Sequence, residues 1–223
     1  MSRPALVLLD VNETLSDLTP LRGRLADVGA PAHLLDTWFA GTLRDGFALA
    51  STGTAAPFPD LGAAVLAGLL HGRDLDRSVD DAVAHVLDGF SVLDVHPDVG
   101  PGLRRLRDAG VRAVPFTNGS RPLAEALLER AGLLGVVERV LSVDDAGRWK
   151  PHVDAYTWAL RTCGVDAGEA ALLAVHPWDV HGARRAGLTA GWLSRDGGPY
   201  PSPLDAPDVT AADLPTLVDA LLG

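Results

Sequence analysis

The sequence predicts an α/β protein: a doubly wound parallel-sheet, Rossmann-like core with a small helical cap domain inserted after the first strand. Three observations lead there. Short apolar runs rich in Val and Leu recur at residues 5–9, 112–116, 139–143, 171–175 and 189–193, as expected of strands buried on both faces. The segments between them read as helices stopped by glycine: 101–109 before Gly110, 122–131 before Gly132 and 153–162 before Gly164. Between the first run and the second lie roughly a hundred residues, far more than one crossover needs, so a further unit is inserted there.

Taken in order, the first run is too short for a signal-peptide core or a membrane span and ends abruptly at Asp10. A cytoplasmic location is therefore expected. The insert reads as helical: Leu35, Trp38, Phe39 and Leu43 follow helical spacing, as do Val65, Leu66, Leu69 and Leu70. Ser78 with Asp81 resembles a capping box that opens a third helix through Val83, Val86 and Leu87. These features divide the chain into a core of residues 1–17 and 94–223 and a cap of residues 18–93. Trp38, Phe39 and Phe47 on a cap helix suit either a pocket or a homodimer surface. The Pro-rich stretch 197–207 reads as an irregular surface loop.

With 223 residues, 47% of them hydrophobic and 22% charged, the chain has the composition of an ordinary globular protein. Nineteen Lys and Arg against 29 Asp and Glu give a formal charge of −10, which disfavours nucleic acid and anionic membrane as partners. The cluster Arg104, Arg105 and Arg107 is a solvated helix face, with Leu103 and Leu106 turned inward. A single cysteine, Cys163, excludes an intramolecular disulfide and a multi-cysteine metal site, and its place late in a helix suits packing.

In an open parallel sheet the ligand crevice lies beyond the carboxyl ends of the strands. Four polar segments fall there: Asp10-Val11-Asn12-Glu13-Thr14, Thr117-Asn118-Gly119-Ser120, Lys150-Pro151 and His176-Pro177-Trp178-Asp179. Alone, Asp10 would be a turn or cap residue. Together, these segments supply what covalent carboxylate catalysis requires: a nucleophile, an anion cradle, a lysine to hold the nucleophile ionised and a second carboxylate.

This constellation resembles the haloacid dehalogenase superfamily, with Asp10, Thr117, Lys150 and Asp179 in its first to fourth motifs. Metal-dependent phosphatases of that superfamily carry a second acid two residues after the nucleophile, where this chain has Asn12, and an amide cannot protonate a leaving alkoxide. Glu13 would leave a strand-like segment in the opposite direction. Those phosphatases also place an acid four residues before Asp179, where Val175 stands and cannot ligate Mg²⁺.

Through Asp10, Thr14, Thr117, Asn118, Lys150, Tyr156, Trp178 and Asp179 the sequence is similar to the (S)-2-haloacid dehalogenase branch, which works without metal. The resemblance implies that Asp10 displaces halide from C2 and that water then hydrolyses the aspartyl ester. Lys150 would keep Asp10 anionic, Asp179 would fix Lys150 and help activate water, and Thr14 and Thr117 would orient Asp10. Asn118, with backbone N–H groups near Ser120, would hold the substrate carboxylate or the halide. Tyr156 would add a phenol to the site or pack a helix face.

Departures from that branch are also visible. The family's halide-binding arginine follows a tryptophan early in the cap, and after Trp38 this chain has Phe39; Arg44 would reach the site instead or form a surface pair with Asp45. Asn12-Glu13 replaces an aromatic residue and glycine, which alters the substrate pocket. His176 replaces an amide and reads either as a general base or as a structural histidine, with no partner visible in the sequence. The expected partner is a small anionic molecule, without a cofactor. Two other readings remain: a Mg²⁺-dependent phosphatase of a small phosphorylated metabolite, and a binding protein that has lost catalysis.

Overall fold

The computed structural model describes residues 3–223. Among them, β1 (Leu6–Leu9), β2 (Arg112–Thr117), β3 (Leu141–Ser142), β4 (Ala170–Ala174), β5 (Thr189–Leu193) and β6 (Val209–Ala211) form one sheet. Their order is β3-β2-β1-β4-β5-β6, and every neighbouring pair is parallel. All four residues of β1 and all five of β4 are buried, which is why both read as continuous apolar runs. The chain winds outward from β1 to β3, then returns to place β4 on the other side of β1. That reversal opens the ligand crevice beside the end of β1.

Helices α5 (Val99–Asp108), α6 (Arg121–Arg130), α8 (Val153–Cys163), α9 (Pro177–Arg185) and α10 (Leu214–Leu222) flank the sheet. The expected third strand is shorter than its apolar run. Only Leu141 and Ser142 pair with β2, because the Ser142 hydroxyl accepts from the Asp144 N–H and starts the one-turn helix α7 (Val143–Ala146). Gly164 ends α8 in the left-handed conformation, as its position suggests, and Cys163 is buried. Beyond the expected irregular loop, the partly exposed β6 adds an edge strand too short for any periodic signal.

Between β1 and α5 lie α1 (Leu21–Asp27), α2 (Leu34–Ser51), α3 (Phe58–Leu70) and α4 (Val79–Asp88). Trp38, Phe39, Thr42, Leu43 and Gly46 line the buried face of α2 at helical spacing. Ser78 caps α4 by accepting from the Asp81 N–H at 3.1 Å. The seven-residue α1, held by Leu21 and Leu25, was not apparent from periodicity.

The chain enters and leaves this helical segment along adjacent strands of backbone: Asp17 donates to Asp94 at 2.9 Å, and His96 donates to Leu15 at 2.9 Å. Farther along, Gly46 lies flat against the Trp149 indole, where a Cβ would overlap the ring. The Trp149 N–H donates to the Ala56 carbonyl at 3.0 Å. Trp38 and Phe39 are buried, while the half-buried Phe47 packs on Trp178 at the border of an open groove. Among the described residues, no helix is long and apolar enough to cross a membrane.

Candidate active site

Asp10 follows the last residue of β1, with its N–H still bonded to Leu173 of β4 at 3.1 Å. The chain then turns tightly, as both Leu15 and Ser16 donate to the Val11 carbonyl. This turn brings the Thr14 hydroxyl back onto Asp10 Oδ2 at 2.7 Å, while Thr14 Oγ1 accepts the Val175 N–H at 3.1 Å. The hydroxyl is thereby aimed at the carboxylate.

Lys150 is fully buried and uses all three ammonium donors: Asp10 Oδ1 at 2.9 Å, Asp179 Oδ2 at 2.7 Å and the Phe116 carbonyl at 2.8 Å. Asp179, in the first turn of α9, accepts from the Tyr156 hydroxyl at 2.5 Å through its other oxygen. Gly182 makes room for that phenol, since a Cβ there would overlap the Tyr156 oxygen and Pro151. Tyr156 therefore belongs to the polar cluster in addition to packing its ring.

On the other flank, His176 Nδ1 lies 2.9 Å from Asp10 Oδ2 and Nε2 lies 2.9 Å from Glu13 Oε2. Its ring is stacked between Phe39 and Trp178, with centroids 5.7 and 5.0 Å away and both interplanar angles 27°. The partner missing from the sequence is Glu13. A strand-like course would have sent that side chain away, but Glu13 has φ 61°, and the left-handed turn brings its carboxylate around to the imidazole. Nothing in a single sequence announces a glutamate in this conformation.

Other expected contacts take a different form. The Asn118 amide is spent on the Lys150 peptide, donating to its carbonyl at 3.0 Å and accepting its N–H at 2.9 Å. It is a clamp on the lysine peptide. Thr117 Oγ1 accepts from the Gly119 N–H at 2.8 Å and makes no hydrogen bond to Asp10. Arg44 extends to the surface, 73% exposed, and pairs with Asp45 at 2.7 Å. Asn12 lies beside Gly119 and lines a narrow cleft with Val11, Phe58, Phe90, Thr117 and Ser120.

The electrostatics follow from these contacts. Burial alone would raise the Asp10 carboxyl, but Lys150, His176 and Thr14 together hold it well below the usual carboxylate range. Burial disfavours the Lys150 cation, and Asp10 and Asp179 outweigh it, so its ammonium is held more firmly than usual. Burial pushes Asp179 upward, opposed by Lys150 and assisted by the charge of Asp10. Burial and the neighbouring Asp179 raise Tyr156, which stays a phenol. Burial pulls His176 down, yet its bonds to Asp10 and Glu13 bring it up to about 9.

A profile described as haloacid dehalogenase-like hydrolase matches residues 6–187. The haloacetate dehalogenase H-2 of Moraxella sp. (strain B) is 31% identical over 122 residues, covering 55% of this chain and 54% of the relative. The (S)-2-haloacid dehalogenase of Pseudomonas sp. (strain YL) is 28% identical over 148 residues, covering 66% of this chain and 62% of the relative. The matches thus span 54% and 62% of those relatives' lengths. A solved L-2-haloacid dehalogenase superposes with a TM-score of 0.91 at 25% identity, over 100% of both chains. Because the profile takes in everything from β1 to the end of α9, the chain belongs to the haloacid dehalogenase-like hydrolase family.

Proposed function

We propose that the protein hydrolyses a small 2-haloalkanoate through an ester on Asp10, without a metal ion. The observation that carries this reading is the way both buried carboxylates are engaged. Asp10 meets Lys150, Thr14 and His176, and Asp179 meets Lys150 and Tyr156, so each of their oxygens already faces a hydrogen-bond donor. Val175 and Asn12 add neither a hard anionic ligand nor an acid for a leaving alkoxide, which disfavours phosphate-ester chemistry.

In this reading Oδ1, which has Lys150 as its one donor, attacks C2 and the halide leaves with the C–X bonding pair. Val11, Phe58 and Phe90 supply an apolar wall for the carbon and halogen, while Thr117 and the N–H groups at the head of α6 receive the substrate carboxylate. Residues 18–93 act as the cap that excludes bulk water. Water then adds to Cγ, and collapse breaks the Cγ–Oδ1 bond. Asp179 takes one water proton, and Lys150, which touches both Asp179 and Oδ1, relays a proton to the departing alcohol oxygen. The second water proton goes to solvent as Asp10 ionises again.

The test is halide release from 2-chloro- and 2-bromopropionate with chelator present. Wild type is expected to release halide and 2-hydroxy acid in equal amounts, and Asp10→Asn to lose at least about 10⁴-fold in rate. Activity that disappears with chelator, or survives in Asp10→Asn, overturns the proposal.

A further inference from the structure

We propose that His176, held as an imidazolium by Glu13, stabilises the negative charge that forms on Asp10 Oδ2 while the aspartyl ester is hydrolysed. This rests on the ester chemistry above and gives the second step its own catalytic group. The first argument is a count of protons. A neutral imidazole has one N–H donor, whereas both nitrogens of His176 face carboxylate oxygens at 2.9 Å, and ionised carboxylates only accept. Both nitrogens must donate, so the ring carries a positive charge. Neither nitrogen has a lone pair free to accept a proton from water, which sets aside the general-base role.

The second argument concerns the oxygen. Oδ2 receives two donors, the Thr14 hydroxyl at 2.7 Å and His176 at 2.9 Å, and Oδ1 receives only Lys150. When Oδ1 alkylates, Oδ2 becomes the ester carbonyl. Addition of water to Cγ opens the C=O π bond and places its electron pair on Oδ2. Two donors are then already aimed at the developing oxyanion, and collapse returns the pair to the C=O bond as Cγ–Oδ1 breaks. His176 keeps its proton throughout.

The third argument explains Glu13. In the resting protein two carboxylates hold the imidazolium, but esterification removes the charge of Asp10 and leaves Glu13 as the remaining anionic contact. The groups facing His176 are Asp10 at the end of β1, Glu13 in the following turn, Phe39 of α2 and Trp178 of α9, with Asp36 and Arg44 of α2 farther along the same groove. Glu13 is thus a positioning residue that keeps the proton on His176 when it is needed. Its left-handed backbone, costly for a residue with a Cβ, is the strain this placement requires.

The experiment is rapid mixing with 2-chloropropionate, following halide release and the intact-protein mass of the ester in wild type, His176→Gln, Glu13→Gln and Glu13→Gly. In His176→Gln a first equivalent of halide is expected, with ester accumulating and turnover down about 10²–10³-fold. Glu13→Gln should also accumulate ester, and its alkaline loss of turnover should move to lower pH than in wild type. Glu13→Gly should lose turnover although its thermal stability holds or rises, which a purely structural role for Glu13 would not produce. Full turnover in these variants, or loss of the first halide equivalent in parallel with turnover in the folded Glu13 variants, overturns the assignment. Wild type that forms no ester would instead remove the ester chemistry itself, and this assignment with it.

Discussion

Lys150 and His176 both present a positive charge to Asp10, from opposite flanks and at different depths. The lysine flank is wholly buried: Lys150, Asp179 and Tyr156 have no exposed surface, and the Asn118 amide clamps the lysine peptide at both polar atoms. The histidine flank ends in Glu13, whose side chain is 41% exposed, beside an open groove of about 590 Å³ that His176, Phe39 and Trp178 help line. Charges on the first flank exist only because their pairing is complete. On the second, solvent is near enough for protons to exchange. One flank therefore fixes Asp10, and the other can respond to pH.

Breaking the buried flank should have the largest effect. Lys150→Met would strand two carboxylates in the interior, and a loss of about 3–5 kcal/mol is expected in denaturant unfolding, together with loss of halide release. A Lys150→Met protein of wild-type stability would mean that the lysine flank is less dry than its burial indicates. Tyr156→Phe removes one donor from Asp179 and should cost about 1–3 kcal/mol, with a smaller fall in turnover than Asp10→Asn. Gly182→Ala should misplace the same phenol and resemble Tyr156→Phe in activity.

The open flank should reveal itself by pH. Folding raises His176 from the ordinary 6.5 to about 9, so its contribution to stability is fully present below pH 6.5 and is lost as pH rises through 9. Unfolding midpoints of wild type and His176→Gln should therefore converge across that window. A constant gap would place the histidine in a neutral, purely packing role. The smallest effect is expected at Arg44→Ala, because that side chain pairs on the surface with Asp45; a tenfold fall in turnover would bring the outer groove into the reaction.

The same contrast explains what the sequence could reveal. Asp10 stands where β1 gives way to polar residues, while Lys150 follows β3 beyond α7 and Asp179 follows β4 in the first turn of α9; parallel topology brings those ends to one edge of the sheet. The buried runs announced β1, β2, β4 and β5 for the same reason. Asn118 was legible as a polar residue at the end of β2 but not as a clamp, because its target is a peptide in a different loop, 32 residues farther along. Thr117 was likewise placed at the right edge, while its hydroxyl turned to the Gly119 N–H. Glu13 was hidden by one backbone angle, and the same angle hid the partner of His176. Short elements such as α1 and β6 carry too few residues for a repeat to show.

One contact between α2 and the loop joining α7 to α8 has a practical consequence. Trp149 is pinned beneath Gly46, and its indole N–H is satisfied by Ala56. Lifting α2 would wet this indole, and moving the loop between α2 and α3 with it would free the N–H. The protein thus contains its own optical gauge of closure: a red shift in tryptophan emission that reverses on substrate binding, and that Gly46→Ala should mimic without substrate by wedging the helix off the ring.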